Sequence, residues 1–142
     1  MTVKTDAIEA REEQRKASKR ATFDMLRNKK AVEKTISFNL NDEDDPHEVE
    51  MLFRAISHVE YDRIQSKCPP TTEQRAQGEP FNVEEFAPSL LSKVVIEPEM
   101  SIGDWKEIWS SPSWSRGECA NLFAEAVNIC TRGLDIPFTV SD

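Results

Sequence analysis

Residues 57–71, SHVEYDRIQSKCPPT, hold four side chains that enzymes use: His58, Tyr61, Asp62 and Cys68. An oriented histidine moves protons, a thiolate attacks carbon or holds a metal, and a carboxylate or phenol assists either. For any such chemistry the groups must converge and a partner must orient the base. The surrounding residues point elsewhere. Ser57 and Glu60 stand at capping-box spacing, so the serine oxygen is expected to accept from the third helical N–H while the glutamate reaches back to the cap. Pro69 and Pro70 stop the helix, since neither donates to it. His58 then falls in an exposed first turn with no orienting group, and Val59, Ile64 and Cys68 are candidates for the inward side. The stretch reads as cap, helix and stop.

Other reactive patterns are missing. The four glycines are widely spread, so no phosphate-cradling loop forms. Neither a G-x-S-x-G elbow nor an H-E-x-x-H pair occurs. Cys68, Cys119 and Cys130 are an odd set without a C-x-x-C, and His47 and His58 have no metal-site spacing to them. Neither a disulfide scaffold nor a zinc site is expected, and a reducing compartment fits best. Cys119 and Cys130 fall at apolar helix positions and read as small core residues. The acidic run NDEDDPHE, 41–48, lacks the glycine and terminal glutamate spacing of an EF-hand loop. Ser110, Ser111 and Ser113 read as a turn between helices. No enzymatic activity, cofactor or metal is expected.

The totals set the frame. The 142 residues suffice for one well-cored domain. With 38% hydrophobic and 31% charged residues, the core should be modest and the solvated surface large. No apolar run approaches the roughly 20 residues that span a bilayer, and MTVKTDAIEAREEQRKASKR lacks the apolar centre of a secretory signal. The net charge of −8 is unevenly placed. Residues 1–34 carry ten Lys/Arg against six Asp/Glu, and residues 35–142 carry eight against twenty. The +4 arm reads as solvated, and the −12 body argues against a nucleic-acid surface.

The elements follow from periodicity. Residues 6–30 are helix-prone but nearly polar all round until Phe23, Met25 and Leu26, so a protruding or frayed helix anchored only near Phe23 and Leu26 is expected. Ile36, Phe38 and Leu40 alternate with polar residues over 34–40, and Val49, Met51, Phe53 and Ala55 do so over 48–56. With the polar turn between them they predict an antiparallel hairpin, which helices must cover on one face. Residues 71–82 read as a loop. Phe86, Leu90, Leu91 and Val94 have helical spacing, and Pro88 suggests that this helix begins near it, with the proline in its first turn. Ser101/Asp104 and Ser115/Glu118 frame two further helices, Asp104 being the looser fit. The second carries the stripe Cys119, Leu122, Phe123, Ala126, Val127 and Cys130, with Gly133 as a left-handed stop. Residues 134–142, LDIPFTVSD, read as an extended tail. The expectation is an α+β fold: a small, mainly helical domain over 34–142 with one antiparallel β-hairpin, and a basic N-terminal arm over 1–33 that is helical or partly disordered.

Trp105, Trp109 and Trp114 fall within one ten-residue stretch. Trp105 and Trp109 share a helix face, which fits core packing. Trp114 precedes the cap Ser115, where it either staples to Cys119 or stands exposed as an anchor for a partner.

The order of these pieces resembles the tail assembly chaperones of long-tailed, siphovirus-like phages, especially those of actinobacteria. Phe53, the run Cys68-Pro69-Pro70-Thr71, Phe86, Leu90, Leu91, Pro98, Trp105, Trp114, Leu122, Phe123 and Ala126 carry the resemblance, which covers residues 35–138 and leaves the basic arm outside it. The resemblance implies a non-enzymatic assembly factor in the host cytoplasm. Such a factor binds the tape measure protein, keeps that long helical chain soluble and helps tail tube subunits polymerise around it. It implies no membrane, nucleic-acid or cofactor partner and leaves self-association open. The candidate partner-binding residues are Trp114, Trp105, Trp109 and Phe86. The competing reading is a small structural tail or head–tail completion protein retained in the virion.

One expectation is testable at this level. Amide exchange should show the hairpin and the helices after it opening as one cooperative unit, with residues 5–20 unprotected. Strong protection across residues 5–20 would contradict it.

Overall fold

The computed structural model describes residues 20–40 and 48–134. The chain divides into two units, Met1–Lys30 and Ala31–Asp142. The Val32 carbonyl accepts from Ala55 N at 2.9 Å. In the first unit, α1 covers Phe23–Arg27. Thr22 caps it with its hydroxyl, which accepts from Met25 N, and its own extended backbone separates α1 from Arg20 and Ala21. Of the protruding or frayed helix expected over 6–30, the described residues show Phe23–Arg27, and residues 1–19 lie outside the described ones. Phe23 and Leu26 are not buried anchors either, being 74% and 66% exposed. Arg27 instead lies over the Phe23 ring at 5.3 Å and pairs with Asp24 at 2.9 Å.

The second unit is α+β. Strands β1 (Glu33–Asn39), β2 (Glu48–Arg54) and β3 (Val95–Glu97) form an antiparallel sheet in that order. The helices are α2 (His58–Ser66), α3 (Thr72–Ala76), α4 (Val83–Val94), α5 (Ile102–Trp109) and α6 (Arg116–Thr131). The hairpin pairs Ile36 with Met51 and Phe38 with Val49, so the alternation of both strands points to one face. Leu40 has left the strand and is 46% exposed, and the turn residues 41–47 lie outside the described ones. Glu33 and Arg54, directly opposite, close the far end at 2.7 Å, an exposed pair worth at most about 1 kcal/mol.

Helix α4 is the centre of the unit. It packs against α2, α5, α6 and β3, and Phe86, Leu90, Leu91 and Val94 are fully buried on it. Each contributes on the order of 1.5–3 kcal/mol by leaving water. Asn82 starts the helix: its Oδ1 accepts from Glu84 N at 3.2 Å. The helix thus begins well before Pro88, which sits inside it and is itself buried. A proline there forfeits one backbone bond and crowds the Glu84 carbonyl, a cost of about 3 kcal/mol that the burial of its ring and of the helix around it opposes.

The segment expected to be a loop holds α3. Thr71 and Gln74 form a full capping box, with Gln74 N donating to Thr71 Oγ1 and Thr71 N donating to Gln74 Oε1. Gln74 Nε2 also donates to Asn82 Oδ1, and Asn82 N donates to the Cys68 carbonyl at 2.9 Å. The segment is thereby closed into an ordered link that positions α4. Gly78 ends it at φ 81°, a left-handed value that other residues resist. Gly133, the expected left-handed stop, has no such φ; α6 ends through extended Arg132.

The caps differ in detail from expectation. Ser101/Asp104 and Ser115/Glu118 are reciprocal boxes, so aspartate serves at the third position after all. At Ser57 only the serine half forms, at 3.2 Å from Glu60 N. Val59 is 55% exposed; Tyr61, Ile64 and Cys68 form the inward side of that stretch instead. On α6, Cys119, Leu122 and Ala126 are buried as their spacing predicts, and Ile129 joins them.

Phe86 is the residue whose loss should cost most. It meets Tyr61, Phe81 and Phe123 edge-on, with centroids 5.5, 4.9 and 5.7 Å away. Phe86→Ala is expected to lower stability by about 3–5 kcal/mol, read as a fall in the urea midpoint. A midpoint within error of the parent chain would contradict the central role of α4.

Candidate partner-binding groove

The four side chains of 57–71 do not converge. His58 opens α2 on the solvent side, and Asp62 is exposed one turn later. Tyr61 lies against Phe86, and Cys68 is buried beyond the helix end. Burial pushes the Tyr61 hydroxyl above its usual range, helped by negative charge nearby. Burial likewise raises the thiols of Cys68, Cys119 and Cys130. Glu85 adds to the shift at Cys68 and Glu118 at Cys119, while a hydrogen bond with the Ile56 backbone partly opposes it at Cys130. All three are free thiols held protonated, the reverse of what a nucleophile needs. The serines close a turn: Ser110 Oγ donates to the Lys106 carbonyl at 2.9 Å, and Ser111 and Ser113 share a hydrogen bond. Among the described residues no cluster of His, Cys, Asp and Glu is placed to hold a metal, and no helix is long and apolar enough to cross a membrane.

The surface that stands out is apolar and surrounds Trp114. Three depressions meet at this side chain. One of about 410 Å³ opens between Ile36, Phe38 and Leu40 on the β1 side and Leu122 and Glu125 on α6. A second of about 250 Å³ shares Phe38, Leu40 and Leu122 and continues over Val49, Met51, Met100 and Ile108, with Trp105 in its wall. A third of about 300 Å³ lies between Val83, Trp109, Cys119 and Phe123. Trp114 is half-buried and meets Phe38 edge-on at 6.3 Å. It lines the third depression together with Cys119, the residue that a hydrophobic staple across the cap Ser115 would use. The staple position and the groove wall are thus one and the same residue.

The other candidates divide. Phe86 is fully buried and belongs to the core, and Trp105, 1% exposed, is a core residue that reaches the surface only in the wall of the second depression. Trp109 is half-buried and lines the third depression. Trp105 carries the one buried side-chain polar atom without a partner among the described residues, its Nε1. Sequence reasoning missed Ile36, Phe38, Leu40 and Met100 as groove residues. The alternation of β1 marks which face turns inward, but not that α6 covers that face incompletely. No signal in the sequence reports that gap.

The chain matches no protein-family model, no curated protein and no solved structure.

The raised thiols have a consequence for stability. Their folded pKa values lie above the unfolded ones, so the stability they confer is complete below the ordinary thiol range and declines as pH rises through it. Urea midpoints should fall as pH rises through and above the ordinary thiol range, and Cys119→Ala should make the decline shallower. A flat profile, or one unchanged in the variant, would contradict the buried protonated state.

Proposed function

We propose that this chain is a non-enzymatic tail assembly chaperone that holds the tape measure protein of a long-tailed phage in soluble form and helps tail tube subunits assemble around it in the host cytoplasm. The observation that carries the reading is the aromatic-walled apolar groove at Trp114 on a domain of strongly negative charge. A long amphipathic helix needs apolar surface to cover its stripe, and a net-negative carrier keeps the complex from associating further. The ordered sequence resemblance supports the same reading. So does the dispersed placement of His58, Tyr61, Asp62 and Cys68, which do not converge on one site.

In this reading the groove takes apolar side chains from one face of the client helix, and Trp114 and Phe38 form its aromatic wall. The client is bound by surface burial and released when tube subunits compete for the same stripe.

Co-expression with the tape measure protein tests this. The wild-type chain should keep that protein soluble and be retained with it in a pull-down, and should be missing from purified particles. Trp114→Ala should remain folded in a melt and weaken the association by about 2 kcal/mol or more, a hot-spot cost. A folded variant that keeps its client fully would remove Trp114 from the contact. No association by the wild type, or the chain at stoichiometric levels in finished particles, would favour a structural virion protein.

A further inference from the structure

Strand β1 has one neighbour among the described residues, β2, and its other side is an open edge. Val32 bonds Ala55, and bonded and non-bonded pairs alternate along an antiparallel ladder. Lys34, Ile36 and Phe38 therefore bond toward β2, while Glu33, Thr35, Ser37 and Asn39 turn their N–H and C=O groups outward. Proteins ordinarily blunt such an edge with proline, a bulge or an outward lysine. β1 has no proline, its register is unbroken, and its lysine is held by Glu125 at 3.1 Å. A channel runs beside this edge, because α6 passes β1 in the opposite direction. The depression between Ile36, Phe38 and Leu122 continues past Glu125 into another of about 540 Å³ between Val32, Lys34, Ile129 and Arg132. The chain leaves α6 at that far end, and Leu134 just beyond it is 70% exposed.

Residues 135–142 lie outside the described ones. We propose that residues 135–140 run along the open edge of β1 as a parallel fourth strand, with Ile136 and Phe138 seated in the depression between β1 and α6. Reach allows it: four residues separate Leu134 from Phe138, as four separate Lys34 from Phe38, about 13 Å of extended chain in either case. The pattern fits as well. Ile136, Phe138 and Val140 alternate with Pro137 and Thr139, the period of a strand with one apolar face. Pro137 then fixes the direction. A tail that emerges beside Val32 and turns into the channel runs the same way as β1. In a parallel pair, the residues that bond toward each other lie on opposite faces of the sheet. Thr35 and Ser37 bond outward from the face away from α6, so their partners in the tail lie on the α6 face, where Ile136 and Phe138 belong. The nitrogen of Pro137 then points away from β1, where a missing donor costs nothing. An antiparallel tail with the same apolar face inward would aim Pro137 at β1 and forfeit a bond. The docking needs no client and stands apart from the chaperone reading. The depression over Met51, Met100 and Ile108 stays open at Trp114.

Amide exchange read residue by residue by NMR on the full chain tests this. The outward N–H groups of Thr35 and Ser37 should be protected in the parent chain. In the double variant Ile136→Asp, Phe138→Asp they should exchange at least about tenfold faster. The Ile36 and Phe38 amides, bonded to β2, should exchange alike in both chains and so report that the hairpin is intact. Pro137→Ala should leave the Thr35 and Ser37 rates unchanged, since the position gives no bond to β1. Free exchange of Thr35 and Ser37 in the parent chain overturns the proposal without recourse to any variant. Protection that persists in the double variant overturns it too. If that protection also rises with protein concentration, alongside a dimer in sedimentation, a second copy holds the edge in place of the tail.

Discussion

The burial of Phe86 is the constraint on which the rest of the second unit depends. Its ring is fully enclosed, with Tyr61 of α2, Phe81 before α4 and Phe123 of α6 around it. Edge-on aromatic contacts are worth about 0.5–1.5 kcal/mol each beyond simple burial, so one side chain couples α2, the approach to α4, and α6. Because α4 also packs on α5 and β3, fixing Phe86 fixes the frame against which the hairpin and α6 are set. The groove is a by-product of that frame. Helix α6 commits its buried stripe to α4 and β2, and what remains of the β1 face, at Ile36 and Phe38, is left partly open.

That division explains why the tryptophans differ despite their proximity. Trp105 turns into the core, where its Nε1 has no partner among the described residues, a cost of about 1–3 kcal/mol that burial of its large ring outweighs. Trp109 stays half-buried at the end of α5. Trp114 lies between helices, where no regular stripe claims it, and becomes the wall common to the depressions. Its place directly ahead of the Ser115 cap sets it where α6 begins beside the depressions.

Much of the fold is legible in the sequence because it rests on local signals. The period-two alternation of Ile36 and Phe38 against Val49, Met51 and Phe53 gives the hairpin, and the Ser101 and Ser115 caps start α5 and α6 where their spacing says. The T-x-x-Q box that starts α3 was equally visible, but the polar residues around it read as loop. Strand β3 is a different case. Val95–Glu97 is too short to alternate, follows α4 without a break and exists only because Val95 meets Phe53 and Glu97 meets Leu52 across the sheet. Pro88 misleads for a related reason: its local preference is for a first turn, and the core around α4 overrides it. The site is less legible than the fold. Trp114 stands out by type and position, whereas Phe38 and Leu40 become groove residues only through an incomplete cover that no local pattern encodes.

The central claim is that the groove at Trp114 is where a helical client is held. Hydrogen exchange of the chain with and without a soluble tape measure segment tests it most directly. The account predicts that added protection concentrates in β1, in the turn 110–114 and in the first half of α6, with α2 and α3 unchanged. Protection gained chiefly at α2 and α3, or none gained in a complex shown to have formed, would contradict it.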